Sequence, residues 1–360
     1  MEAEVSGEFL FCTINARRLK MSKKLSIRDI GKELGISITT VSFILNGKAK
    51  EKRISEALTE KVLKFVEEVN FKPNMMAQGL RTGKSKIICL MVEDISNNLL
   101  FAQVARLIEE EAHNQGYRII YCSTDNKREK AIELIRLFRD RSIDGFIITP
   151  PEGIEDEIQS LIDEDIPVVL IDRNLPKLKC NYVGIENLNS SCQAINHLIT
   201  NGFKNIAFVS IESDQMQMVD REGGYEKAVK DAGLKTFVKK LNFYNGEEQN
   251  VNEIAAFLST NKEIDAVFFS TNYIGVWGLQ AIKSLKLNIP DDIAVVSFDD
   301  QDLFKFYSPS ITVVAQPVPE LSTHIIRLML NALKEKDINI HEIILPAQLI
   351  IRDSSTKTVS

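Results

Sequence analysis

From Ile87 onward the chain alternates short, almost uninterrupted apolar runs with amphipathic segments, and this alternation constrains its fold more than any other feature. The runs are Ile87–Val92, Arg118–Ser123, Gly145–Thr149, Pro167–Asp172, Asn205–Ser210, Ala266–Ser270 and Ile293–Phe298. Between them lie Gln103–Gln115, Glu129–Arg139, Ser191–Thr200 and Glu222–Ala232, each with apolar residues at helical spacing. A strand that is apolar at nearly every position is buried on both faces, which is the condition of a parallel sheet covered by helices. The pattern predicts two doubly wound α/β halves. Ligands of such sheets bind outside the carboxyl ends of the strands, so the residues just after each run are the ones to inspect.

The chain has 360 residues, more than these halves need, and the surplus lies at the N-terminus. The formal net charge of -6 conceals an uneven distribution. Residues 21–86 carry fourteen Lys/Arg against seven Asp/Glu, whereas residues 87–360 carry 27 against 40. A basic segment on an acidic body is the asymmetry expected when one small domain meets nucleic acid. Five widely spaced cysteines, with no C-x-x-C and no His at metal-ligand spacing, read as reduced thiols in a cytoplasmic protein. No apolar run is long enough to span a bilayer, and acidic Glu2, Glu4 and Glu8 argue against a secretory signal. Residues 1–20 are expected to be a disordered extension ahead of Met21.

The basic segment contains S-I-R-D-I-G-K-E-L-G-I-S-I-T-T-V-S-F-I-L-N-G from Ser26 to Gly47. Ile27, Ile30 and Leu34 keep helical spacing, Ser26 and Asp29 form a capping box, and Gly35 stops the helix. Ser37 caps a second helix that ends at Asn46-Gly47, with Val41, Ile44 and Leu45 inward and Ile38, Thr39, Ser42 and Phe43 outward. Two short helices joined by so short a Gly-containing turn make a helix-turn-helix. The second helix of that motif enters the major groove, where Thr39, Thr40, Ser42 and Asn46 can bond base edges or phosphates, and Ile38 and Phe43 can meet thymine methyls. A third helix, Ser55–Asn70, turns Ala57, Leu58, Val62, Phe65, Val66 and Val69 toward the small core. Gly79, Gly83 and Lys84-Ser85 fail as a phosphate loop, because three residues rather than four separate the glycines and the strand follows instead of preceding.

These residues, with P-N-x-x-A-x-x-L-R-T-G-K from Pro73 to Lys84 and V-E-D-I-S-N from Val92 to Asn97, resemble the lactose-repressor type (LacI/GalR) family of bacterial transcription regulators over about Leu25 to Arg352. The resemblance implies an all-α headpiece (21–72), a hinge helix (73–84) that folds on operator DNA, and a two-lobed α/β core like periplasmic binding proteins (85–360). The N-lobe would take about 86–183 and 316–342, the C-lobe about 184–315 and 343–353. By that resemblance Leu80 is the hinge leucine that wedges into a minor-groove step, flanked by Asn74 and Ala77. Asp172, Arg221, Asn272 and Asp299 correspond to effector-contacting positions. The loop Gly47–Ile54 is about three residues longer than is usual in the family and offers Lys48, Lys50, Lys52 and Arg53 to phosphates. Phe43 stands where a basic or polar residue is common, so the operator sequence does not carry over.

The residues after the core runs are polar: Asp94, Ser96 and Asn97; Ser123, Thr124 and Asp125; Asp172 and Arg173; Asn272; Asp299 and Asp300. Arg221 joins them from the opening turn of a helix. Carboxylate, amide and guanidinium groups together suit a polyhydroxylated ligand. Tyr244 and Phe298 are candidates to stack on a sugar face, while Trp277 reads as packing. No nucleophile and base are paired, and His113, His197, His324 and His341 fall away from the strand ends, so the chain is read as no enzyme, with no cofactor and no metal. The expected protein is a homodimeric, ligand-controlled regulator, most simply a repressor, of a palindromic operator, with a sugar-like effector and no membrane partner. The polar tail from Asp353 has no heptads, so no tetramer-forming helix is expected. A sugar-binding protein of transport or chemosensing is the alternative, since the two-lobed core would serve either.

Overall fold

The computed structural model describes residues 25–71, 84–94, 99–334 and 339–356. Residues up to Ser85 and residues from Lys86 onward form two compact units.

In the first unit, helices span Ile27–Leu34, Ile38–Leu45 and Glu56–Glu68. Each begins at a serine whose hydroxyl accepts from a backbone amide three residues on: Ser26 from Asp29, Ser37 from Thr40 and Ser55 from Leu58. Such a cap is worth about 1 kcal/mol. The Asp29 carboxylate closes the box by accepting from the Ser26 amide at 2.9 Å. Gly35 ends the first helix at φ 68°, a left-handed turn open to glycine without strain. Gly31 has a different reason. A Cβ there would stand 2.9 Å from the Ile36 carbonyl oxygen, so its hydrogen lets the chain pass closely over the first helix as it enters the second. Ile30, Val41, Ile44, Ala49 and Val62 form the buried core. Ala57, expected inside, is exposed.

The second unit contains two six-stranded sheets. The first is built from β1 (Ile87–Val92), β2 (Arg118–Ser123), β3 (Gly145–Ile148), β4 (Val168–Ile171), β5 (Asn181–Ile185) and β11 (Glu342–Leu345), in the order β11-β5-β4-β3-β1-β2, all parallel. The second is built from β6 (Ile206–Ile211), β7 (Phe237–Leu241), β8 (Ala266–Phe269), β9 (Ala294–Phe298), β10 (Thr312–Ala315) and β12 (Gln348–Ile350), in the order β12-β10-β9-β8-β6-β7. Only β12 runs antiparallel to its neighbour. Central strands are buried along nearly their whole length, as near-continuous apolar sequence requires. The edge strand β7, Phe-Val-Lys-Lys-Leu, carries two lysines that discourage further pairing.

Both sheets reverse direction at equivalent places, between β1 and β3 and between β6 and β8. These are the switch points beside which doubly wound sheets leave a crevice. The chain passes between lobes three times, at Glu186, at Gln316–Pro317 and at Pro346–Ala347. The first and third crossings fall a few residues beyond the boundaries expected at 183 and 342. β5 continues to Ile185, and β11 pairs with it through Leu345.

Candidate functional site

On the first unit, Ile38 is 47% exposed and Thr39 is exposed at the start of the second helix, an unfavourable place for a β-branched apolar side chain unless it meets a partner. Thr40 is half-buried, its hydroxyl 2.8 Å from that of Ser37. Two expectations fail here. Ser42 is buried, not outward, because it lies one position from Val41 on the inner stripe and Asn46 folds over it. The Asn46 amide donates to the Ser42 carbonyl at 2.7 Å and to its hydroxyl at 3.3 Å, so Asn46 closes the helix. Phe43 is half-buried, with the Lys52 ammonium 5.5 Å from its ring centre. Buried Ala49 pins the following loop, leaving Lys48, Lys50, Lys52 and Arg53 exposed. Asn74, Ala77 and Leu80 lie outside the described residues.

On the second unit, a cavity of about 380 Å³ opens where the carboxyl ends of the two sheets face each other. From the first lobe come Glu93 and Asp94 after β1, Asp172 after β4, and Phe101. From the second come Gln215, Gln217 and Arg221 of the helix Met216–Asp231 and its approach, Asn272, Tyr273 and Trp277 of the helix Asn272–Ser284, and Asp299 after β9. Phe243 and the inter-lobe residue Gln316 complete much of the wall.

Arg221 is 2% exposed and held on every side. It donates to Asn187 Oδ1 at 2.9 Å and to the Ser270 carbonyl at 2.7 Å, lies 3.6 Å from an Asp299 oxygen, and rests 3.6 Å above the Phe298 ring. It occupies the second turn of its helix, not the opening turn. Asp299 also accepts from Gln316 at 2.7 Å. Burial pushes its carboxyl above the usual carboxylate range, opposed by Arg221 and Gln316. Asp172 and Asp299 both stand at left-handed φ, 64° and 66°, at corresponding places after the fourth strand of each lobe. Aspartate tolerates this region better than most residues, and such strain concentrates where a side chain must be aimed.

Arg173 points behind the first-lobe wall. It binds the Glu93 carboxylate, the Asn126 side-chain oxygen at 2.5 Å and the Pro150 carbonyl at 3.4 Å. Burial raises Glu93 above its ordinary range; Arg173 opposes this, while Asp172 and Asp94 add to it. Of the expected ligand residues, the cavity therefore gathers Asp94, Asp172, Arg221, Asn272 and Asp299. Arg173 and Phe298 support the wall from behind without lining it. Ser123 is half-buried away from the cavity, and Asp125 pairs with Lys130 at 2.9 Å on the surface. Tyr244 is 78% exposed, and its neighbour Phe243 takes the place expected of it. Asn97 lies outside the described residues. Trp277, read from sequence as packing, lines the cavity, in edge contact with Tyr273, which in turn meets Phe243. None of the four histidines lines it, and among the described residues no group of His, Cys, Asp and Glu could hold a metal.

Residues 26–74 match bacterial regulatory proteins of the lacI family, and residues 195–355 match a periplasmic binding protein-like domain. Over 337 residues, 92% of this chain and 99% of the other, the sequence is 31% identical to the HTH-type transcriptional regulator RegA of Clostridium saccharobutylicum. The chain belongs to the LacI family. It is likewise 29% identical to the ribose operon repressor of Halalkalibacterium halodurans over 92% of this chain and 97% of that one. The lac repressor dimer bound to operator matches with a TM-score of 0.79, covering 93% of this chain and all of that one, and at 19% identity the likeness is one of fold. A LacI-family chain is a DNA-binding transcriptional regulator and not an enzyme, and the matched headpiece sets aside the transport reading. Among the described residues no helix is long and apolar enough to cross a membrane.

Proposed function

We propose that this LacI-family regulator is a homodimeric repressor of a palindromic operator, and that a small polyhydroxylated effector held between its lobes sets its affinity for that DNA. The observation that carries the effector half is the cavity itself. It lies at both switch points at once, with carboxylates, amides and a guanidinium set against aromatic faces, the chemistry that grips hydroxyl pairs and the apolar face of a sugar ring. A ligand touching Asp172 on one lobe and Arg221 and Asp299 on the other prefers one lobe spacing and shifts the equilibrium toward it. The DNA half rests on Ile38 and Thr39 at the open end of the second helix and on the loop cations.

In this reading Ile38, Thr39 and Thr40 face base edges, Lys48, Lys50, Lys52 and Arg53 face phosphates, and Leu80 wedges the operator centre. The test is retention of the full chain on palindromic and random duplexes at about 150 mM salt. Preference for a palindrome supports the proposal, and equal binding overturns it. Leu80→Ala is expected to weaken palindrome binding while sparing random DNA, whereas Lys50→Ala weakens both and flattens the salt dependence.

A further inference from the structure

Resting on that reading of the cleft, we infer that the effector carries a positively charged amine beside its hydroxyls, as a hexosamine does, with the ammonium received on the Asp172 side of the cavity. The first argument is charge. Glu93, Asp94, Asp172 and Asp299 face the cavity, with Glu247 at its rim, and among the described residues Arg221 is the one guanidinium in its lining. Arg221 is committed to Asn187, Ser270 and Asp299. Arg173, behind the wall, is committed to Glu93 and Asn126, and its Nε stays 3.8 Å from Asp172. Both cations are thus engaged by the protein, and the carboxylates outnumber them. A neutral sugar leaves that excess uncompensated in a confined space, while a cationic ligand relieves it.

The second argument is an unmet acceptor. Gln217 is 3% exposed and lines the cavity. Its amide nitrogen donates to Asp172 Oδ2 at 3.3 Å and to Gln215 Oε1 at 3.1 Å, while its own Oε1 has no hydrogen-bond partner. Flipping the amide would turn its oxygen onto a carboxylate, so the acceptor side remains the side in need. Asp172 and Gln217 therefore ask for a donor-rich group, and an ammonium brings three donors with the compensating charge. The third is the aromatic wall of Phe243, Tyr273 and Trp277, whose ring faces attract cations as well as sugar C–H surfaces. The cavity volume of about 380 Å³ lies at the small end for ligand sites, the scale of one sugar ring.

The experiment is titration calorimetry on the full chain at neutral pH with matched probes: D-glucosamine, D-galactosamine and D-mannosamine, the parent hexoses, and the N-acetylated forms. At least one hexosamine is expected to bind about ten-fold tighter than its parent hexose, with N-acetylation erasing the advantage. Asp172→Asn should abolish the discrimination while the thermal melt stays intact. Equal affinity for amine and parent, preference for the neutral sugar, or no hexosamine binding overturns the inference. A hexose that binds without discrimination and changes operator retention leaves the effector reading standing while this inference falls. A hexosamine that binds yet leaves retention unchanged does the reverse.

Discussion

The two lobes share one strand order and one placement of a left-handed aspartate, yet they arm the cleft differently. In the C-lobe the charges are sealed: the Arg221 and Asp299 side chains are 3% and 9% exposed and each has several fixed partners. In the N-lobe the Glu93 side chain, though paired with Arg173, is 33% exposed, and among the described residues the Asp172 carboxylate holds long contacts, to Gln217 at 3.3 Å and to Arg173 at 3.8 Å. The lesson is a division of labour within one repeated architecture. On the proposed effector reading the C-lobe presents a preformed anchor, and the N-lobe presents Asp172, whose contacts are completed when the lobes and a ligand meet. A regulator needs that inequality, because a ligand bound equally well by open and closed arrangements would shift nothing.

The largest expected effect comes from breaking the sealed side. Arg221→Ala strands Asp299, Asn187 and the Ser270 carbonyl in the interior, and should cost about 3–5 kcal/mol in urea unfolding together with the ligand response. The equivalent test on the open side is gentler. Arg173→Ala leaves Glu93 near water and able to take up a proton, so a loss of about 1–3 kcal/mol is expected; a cost equal to that of Arg221→Ala would erase the contrast between lobes.

The third test is one of pH. Asp299 has a raised pKa in the fold, so the folded chain binds its proton more tightly than the unfolded chain. The cost of ionising it is absent below the ordinary carboxylate range, grows as pH rises through the raised value, and is complete above it. Wild-type stability relative to Asp299→Asn should therefore decline as pH rises above the ordinary carboxylate range, and a difference in melting temperature that is flat or rises with pH would contradict a sealed, desolvated carboxylate. The smallest effects separate neighbours on the C-lobe rim. Phe243→Ala should weaken effector binding several-fold, by about 1 kcal/mol, and exposed Tyr244→Ala should not change it.

Much of this was legible in the chain because period and position carry it. The buried strands announce themselves as apolar runs; Asp172 and Asp299 follow β4 and β9 directly, and Asn272 comes three residues after β8. β5, Asn-Tyr-Val-Gly-Ile, and β7, with its paired lysines, lack that signature because edge positions and a glycine interrupt it. Gln217 was invisible for another reason: its partner Asp172 lies 45 residues away in sequence, and nothing local distinguishes it from any helical glutamine. Trp277 sits on a helix whose inward face is both core and cavity wall, and helical spacing does not tell those apart. Ser42, in the middle of its helix, is buried because Asn46 four residues on folds over it, and Tyr244 lies one residue from cavity-lining Phe243 in a short 3-10 turn, where the phase of the backbone changes within a single residue.

The three crossings between lobes have a mechanical consequence. The first leaves β5 for the helix Asn187–Thr200, the second leaves β10 for the helix Val318–Lys334, and the third joins β11 to β12; β5 and β11 are adjacent at the border of one sheet, and β10 and β12 at the border of the other. Like a door hung on one jamb, the lobes are tied along a single side, which favours swinging over sliding and lets the far rim travel much farther than the ties. Gln316 belongs to one of those ties and holds the Asp299 carboxylate. On the proposed effector reading the ligand's anchor is thus fastened to the pivot itself, where a small adjustment at a bound molecule would become a wide displacement at the opposite margin.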